Sequence, residues 1–274
     1  MSIADNTPVR RVKTEGSDRF AAFFTGTVGI IRARVTLILL IAVALEIYAR
    51  LFANPTFFPP LTMVARSLFD TVLADANIRA AVVTAIWQIA IAYGLSIVVG
   101  LSLGLAIGWT NFGRRATFPI VLLLYAIPQV VLLPLFVLGF GLGTGSKIAF
   151  GFSHGVFPIL VNVIAGMRNV NQLYIRGAQS MGASRIELFR HVIFPHMVPS
   201  FFAGLRLGMT MTLLGVILAE LYVSTRGIGY YTKVFAETMD PAPLYAIIFL
   251  LAVIAITFNE IVRIAERRFT RWKA

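Results

Sequence analysis

Long apolar runs separated by short polar or turn-forming stretches dominate the chain. A helix crosses a bilayer when about 20 mostly apolar residues follow one another at about 1.5 Å each. Six runs meet this condition: Val35 to Phe52, Ala85 to Trp109, Phe118 to Gly139, Ile148 to Met167, Ser200 to Leu221 and Leu244 to Ile264. The second run begins near Ala80 and is longer than a simple span needs, so its first turns are expected to protrude or pack against protein. The pattern predicts an all-α polytopic bundle of six transmembrane helices. It predicts a polar tail over residues 1–32 and one membrane domain over 33–274.

Detail within the runs refines this picture. Gly100, Gly104 and Gly108 recur one turn apart, as do Gly204 and Gly208. Small residues at that spacing let helix backbones approach closely in lipid; either static packing or a sliding contact between moving helices satisfies the spacing. Pro128 and Pro134 fall in the third run, where each removes a backbone donor and kinks the helix. Non-helical backbone at membrane depth faces protein or a water-filled cavity, which makes this run a candidate pathway wall. Between the first two runs, Pro60 suits a helix start. Leu61, Val64, Leu68 and Val72 then share one helical face, predicting a short amphipathic helix at the outer interface.

The stretch from about Arg168 to Pro199 is too polar to span and too regular for a loose linker. Asn171 to Met181 predicts one short helix, and Gly182 permits a sharp turn. Ser184 and Glu187 have the spacing of a capping box opening a second helix. Leu188, Phe189 and Val192 give that helix an apolar face, and Pro195 and Pro199 are expected to end it. The expected product is a compact helical knob.

Composition agrees with the membrane reading: 58% hydrophobic and 13% charged residues, with mean hydropathy +0.84. A soluble domain of this length needs far more polar surface. The net charge of +12 fits either nucleic-acid binding or the positive-inside bias of a membrane protein. With the N-terminus in the cytoplasm, 17 of the 24 Lys and Arg fall in inside segments, 6 fall outside, and Arg206 lies within a span. The charge is therefore a topology signal. It implies N- and C-termini inside, the knob inside, membrane lipid as surroundings and no nucleic-acid partner. No cleavable signal peptide is read before the first long run.

Catalytic chemistry is absent from the pattern. Cysteine is missing altogether, so no disulfide or thiolate metal site arises. The stretch from Gly141 to Lys147 lacks the adjacent Gly-Lys-Ser/Thr of a phosphate-binding loop and is expected to be a flexible outer turn. His154, His191 and His196 have no metal-ligand spacing, and no metal site is expected. Glu46, Glu220 and Glu260 lie towards span ends, where solvation is cheaper. Polar side chains inside spans mark Pro128 and Gln129 in run three, and Thr210 and Thr212 in run five, as candidate pathway residues. Arg206 either attracts an anionic substrate or snorkels to the interface. An ion-gradient-driven secondary transporter would show inverted repeats, of which there is no convincing sign. A passive scaffold would not need so regular a knob.

The knob also carries a family resemblance. Arg176-Gly177-Ala178, then Gly182 four positions after Ala178, then Val192-Ile193-Phe194-Pro195 resembles the EAA motif of ABC-importer permeases: acidic-Ala-Ala, a glycine, then Ile-x-Leu-Pro. The spacing is kept throughout. Arg176 stands where the family has its acid, Gly177 replaces the first alanine, Val192 the isoleucine and Phe194 the leucine. Phe58-Pro59-Pro60, the Pro128 to Pro134 region and Phe140-Gly141-Leu142-Gly143 also lie where permeases of the nitrate/sulfonate/taurine type place similar residues.

The resemblance implies a type I ABC importer-like transmembrane domain in a bacterial inner membrane. Such a permease subunit binds no cofactor itself. ATP and Mg belong to two partner ATPase subunits, a second copy of the chain completes the pathway, and a periplasmic or lipid-anchored binding protein delivers the solute. The expected cargo is an organic or inorganic anion such as a sulfonate, taurine or nitrate. The ATPase-coupling residues it implies are Arg176, Gly177, Ala178, Met181, Gly182, Ser184, Glu187, Leu188, Phe189 and Pro195. The chain would not be an enzyme but the non-catalytic subunit of an ATP-hydrolysing complex.

Overall fold

The computed structural model describes residues 26–269, and every regular element among them is helical. Most of the expected tail over 1–32, the stretch searched for a signal peptide and several counted cations, Arg10 and Lys273 among them, lie outside the described residues. Contacts divide the chain into two units at Met63/Val64.

The first unit contains α1, Gly26–Leu51. Near its end Arg50 pairs with Glu46 at 2.7 Å. The Glu46 carboxylate also accepts from the Thr62 amide at 3.2 Å and its hydroxyl at 2.7 Å. Tyr48 stacks with Phe52 and meets Phe58 edge-on. The first expected span is thus a helix. It is not among the helices apolar enough to span, because Arg32 and Arg34 open its apolar stretch and Glu46 and Arg50 close it.

Helix α2, Leu61–Ser67, carries the chain into the second unit and widens into a π-turn over Leu68–Val72. Val64, Leu68 and Val72 pack onto Ile228, Ala246 and Ile247. The amphipathic helix is therefore present, with this part of its apolar face turned to protein.

Next comes α3, Ala76–Gly108, capped by the Asp75 carboxylate accepting from the amides of Asn77 and Ile78. Its 33 residues exceed the length of a simple span, as expected. The run after it does not form one span. Helix α4, Asn111–Ala126, and the segment Gln129–Phe140 meet at 79°. Ile127, in extended backbone before Pro128, cannot continue the helix because the proline ring crowds the α conformation. A single turn of 3-10 helix, Gln129–Leu132, leads into α5, Leu133–Phe140, with Pro134 in its first turn. Gly141 at φ +74° stops α5.

Helix α6, Thr144–Arg168, is the centre of the unit and packs most extensively on α3 and on α9. Glycines make this possible. A Cβ on Gly104 would lie 2.7 Å from Val163 of α6, and one on Gly208 2.7 Å from Ile159. Lys147 therefore sits in the first turn of α6, not in a flexible outer turn, and is only 6% exposed.

The knob helices follow: α7, Gln172–Ser180, and α8, Arg185–Leu188. Pro195 and Pro199 do not end the second of these. A π-turn over Phe189–Ile193 absorbs the donor missing at Pro195, and the chain runs on as α9, Phe194–Val223. The continuous helix from Arg185 to Val223 has 39 residues, about 58 Å at helical rise. The hydrocarbon core is about 30 Å thick, so its first turns stand outside the membrane. Helices α10, Ile228–Glu237, and α11, Pro241–Phe269, complete the chain. Among the described residues, four helices are long and apolar enough to span, or five with the bent pair.

Candidate functional site

At one end of the second unit the knob stands on the ends of α3 and α6. Asn171 caps α7 by accepting from the Leu173 amide at 2.9 Å. The turn at Gly182 has φ +84°, and nothing lies within 4 Å of where its Cβ would be. Glycine is thus required by backbone conformation and not by crowding. The expected capping box is formed. The Ser184 amide and hydroxyl each donate to the Glu187 carboxylate at 2.8 Å, and the Glu187 amide donates back to the Ser184 hydroxyl at 3.3 Å. The backbone and then the hydroxyl of Ser184 hold the Glu187 carboxyl below the usual carboxylate range.

Two sets of apolar side chains separate on this knob. Met181 and Ile186 are 83% and 74% exposed. Leu188 and Phe189 turn inward, lining a groove of about 530 Å³ with Gly108, Met167 and Ile193. Phe189 meets the Trp109 ring at 5.1 Å. Of the apolar coupling candidates, Met181 thus faces outward, joined there by Ile186, whereas Leu188 and Phe189 face the groove. Alternation along a four-residue helix was too short a pattern to single out Ile186. Arg176 and Gly177 are exposed, Ala178 is buried against the knob, and Pro195 is half-buried in the run-on of the second helix. Arg176 lines the same groove.

The candidate pathway residues are not brought together. Pro128 is exposed at the bend, and the Gln129 carbonyl accepts weakly from the Ser153 hydroxyl at 3.4 Å. Thr210 is exposed, and its hydroxyl donates to the Arg206 carbonyl at 3.2 Å. Thr212 faces the opposite way, fully buried against Gly155, and its hydroxyl has no partner. Arg206 forms an ion pair with Glu266 of α11, which removes it as a free attractor for an anion.

Sequence reading missed a buried polar set at the far end of the unit. Glu220 has no exposure, although it closes α9. Its carboxylate accepts from the Gly229 amide at 2.9 Å. Gly227, at φ +124°, crosses so close that a Cβ there would lie 2.5 Å from the carboxyl carbon. The Lys147 ammonium donates to the Ser224 hydroxyl at 2.7 Å and to the Arg226 carbonyl at 3.4 Å. Glu220 is therefore not solvated as its place near a span end implied; the loop around Gly227 clasps it. Glu260 pairs with Arg263 at 2.6 Å. His154 Nδ1 donates to the Phe150 carbonyl at 2.9 Å.

Known proteins share this architecture. The transmembrane domain of the methionine transporter MetNI, in inward-facing conformations, superposes with a TM-score of 0.58, covering 81% of this chain and 100% of that one at 15% identity. That likeness concerns the fold. The formylaminopyrimidine transport permease protein ThiX of Halalkalibacterium halodurans is 30% identical over 86% of this chain and 93% of its own length. The taurine transport system permease protein TauC of Escherichia coli is 30% identical over 86% of this chain and 88% of its own length. The nitrate import permease protein NrtB of Synechocystis is 28% identical over 62% of each chain. Residues 96–271, from mid-α3 through the knob and beyond α11, match the family described as the binding-protein-dependent transport system inner membrane component. With its all-helical bundle and these relatives, the chain belongs to that family: it is a multi-pass inner-membrane permease subunit of an ABC importer, of the nitrate/sulfonate/taurine type.

Proposed function

We propose that this permease imports a small organic or inorganic anion and takes its driving force from a separate ATPase seated on the knob between Arg176 and Pro195. The observation that carries the coupling role is the knob itself. A glycine turn at φ +84° and a reciprocal Ser184–Glu187 cap fix its shape, while Met181 and Ile186 stand out from it. A stiff projection with apolar tips suits force transmission into a cleft, because a packed contact transmits displacement where a flexible loop absorbs it. Gly182 sets the turn, Ser184 and Glu187 stiffen the second helix, and Phe189 and Leu188 tie it to the ends of α3 and α6.

On this reading two copies of the chain form the pathway, and two ATPase subunits bind ATP and Mg on the knob side. A binding protein delivers the solute on the other side. Both termini and the knob face the cytoplasm, in keeping with the positive-inside count. Taurine, sulfonate and nitrate appear in relatives' names, and formylaminopyrimidine in another, so the cargo class is small and polar. The break at Pro128 and the 3-10 turn at Gln129 suit a pathway wall, since irregular backbone is tolerated in a membrane where it lines protein or a water-filled cavity.

The test is co-purification with uptake. A tagged permease is expected to retain its ATPase stoichiometrically, and proteoliposomes with ATP enclosed and the binding protein and solute outside are expected to accumulate solute. Uptake that needs an ion gradient and ignores ATP would contradict the proposal.

A further inference from the structure

The far end of the second unit holds a cavity of about 720 Å³, within the size range of small-molecule sites. It is bounded by the start of α3, the start of α6 and the loop between α9 and α10. Its lining includes Thr84, Gln88, Lys147, Ser224, Arg226 and Tyr231, and no aspartate or glutamate. Two cations therefore face it; of the acids nearby, Glu220 is withdrawn behind Gly227 and engaged with the Gly229 amide, and Asp75 is engaged as the cap of α3.

Gln88 is the telling residue. It has no exposure, and neither its amide nitrogen nor its carbonyl oxygen has a hydrogen-bond partner in the protein. Buried polar groups are normally satisfied, and an unsatisfied one is costly. A ligand that accepts from the amide nitrogen removes part of that cost. Lys147 is buried beside it with an ammonium that uses two of its three donors. The guanidinium of Arg226 has no ion pair among the described residues and is suited to oxyanion geometry.

We propose that this cavity binds the oxyanion head of a small solute, a sulfonate or a group of like charge and shape, on the side of the permease opposite the knob. Lys147 and Arg226 supply charge, and the Gln88 amide nitrogen supplies a neutral hydrogen bond. The site deepens the reading above by giving the permease its own selectivity for anions, and it rests on that reading for its place on the import route.

Titration calorimetry of the full-length permease in phosphatidylcholine nanodiscs, with ethanesulfonate, taurine and nitrate as probes, tests this. Wild type is expected to bind ethanesulfonate saturably. Lys147→Met is expected to weaken binding by about tenfold or more, the loss of one charge-assisted hydrogen bond. Gln88→Leu and Arg226→Gln are each expected to weaken it by about threefold or more, and Lys147→Arg by less than about threefold. Arg226 is exposed, so Arg226→Gln keeps the test open should the buried variants misfold. Wild-type affinity in Arg226→Gln and Gln88→Leu, or no saturable binding of any probe, overturns the proposal. So does loss of ethanesulfonate binding on adding phosphatidylglycerol at constant ionic strength, which would make the site a lipid head-group site. The same preparations are assayed for the co-purifying ATPase. Its presence without sulfonate binding sinks this inference alone, whereas its absence sinks the coupling proposal.

Discussion

Gly182→Asp is expected to leave the permease in the membrane at near-normal level and reduce ATP-driven uptake to less than about a tenth. The backbone there is left-handed at φ +84°. For most L-residues that conformation costs about 1–2 kcal/mol, but aspartate is among the residues that tolerate it. A Cβ meets nothing within 4 Å in the chain itself, so no clash unfolds the bundle. What changes is the tip of the knob, which gains a carboxylate beside Met181 where the proposal places the partner. Burying an unpaired charge there is costly. Gly182→Asn, with the same backbone tolerance and no charge, should retain a substantial part of the activity. Uptake and ATPase rates in proteoliposomes, with membrane levels by immunoblot, separate the cases. Normal binding-protein-stimulated ATPase activity in the aspartate variant would count against the knob's role.

A second substitution, Gly155→Leu, is expected to remove the protein from the membrane. Gly155 lies where α6 meets both neighbours. A Cβ there would fall 1.9 Å from the Thr212 hydroxyl on α9, 2.7 Å from the Ser96 hydroxyl on α3 and 3.2 Å from the Gly208 carbonyl. The hydroxyls can rotate, but the Gly208 backbone cannot, and leucine adds three more carbons. Overpacking costs about 1–3 kcal/mol in a core that can adjust; here two helix interfaces must open at once. The expected readout is loss of a monodisperse peak in detergent and a lowered unfolding temperature. Gly177→Leu, at an exposed position with open space around it, should behave as wild type in the same assay.

How much of this was legible in the sequence depended on what kind of signal each feature leaves. Helical runs and glycine spacing are periodic, so α3, from its start near Ala80, and α6 were found to within a few residues, whereas the long helix through α9 begins at Arg185, well before the expected Ser200. The knob was legible because its turn glycine and capping box are local chemistry, set by residues three apart. Proline was less reliable. Pro128 broke its helix, whereas Pro195 did not, because the π-turn over Phe189–Ile193 took up the missing donor, and Pro199 lies within α9; nothing in composition announces a π-turn. The buried polar set escaped because its members, Gln88, Lys147 and Glu220, are spread over more than a hundred residues and converge only when α3, α6 and α9 pack. Lys147 was further hidden by its glycine-rich neighbours, which suggested a loop where α6 already begins.

The chain has no cysteine, and this permits a direct measurement of the central claim. Single cysteines at Met181, Ile186 and, as a comparison, Phe112, which is 83% exposed in the first turn of α4, are introduced into the otherwise native permease. The complex with its ATPase is reconstituted and treated with a short bifunctional crosslinker. The account predicts a permease–ATPase adduct from positions 181 and 186, sensitive to ATP, and little from 112. An adduct from 112 with none from 181 or 186 would contradict it.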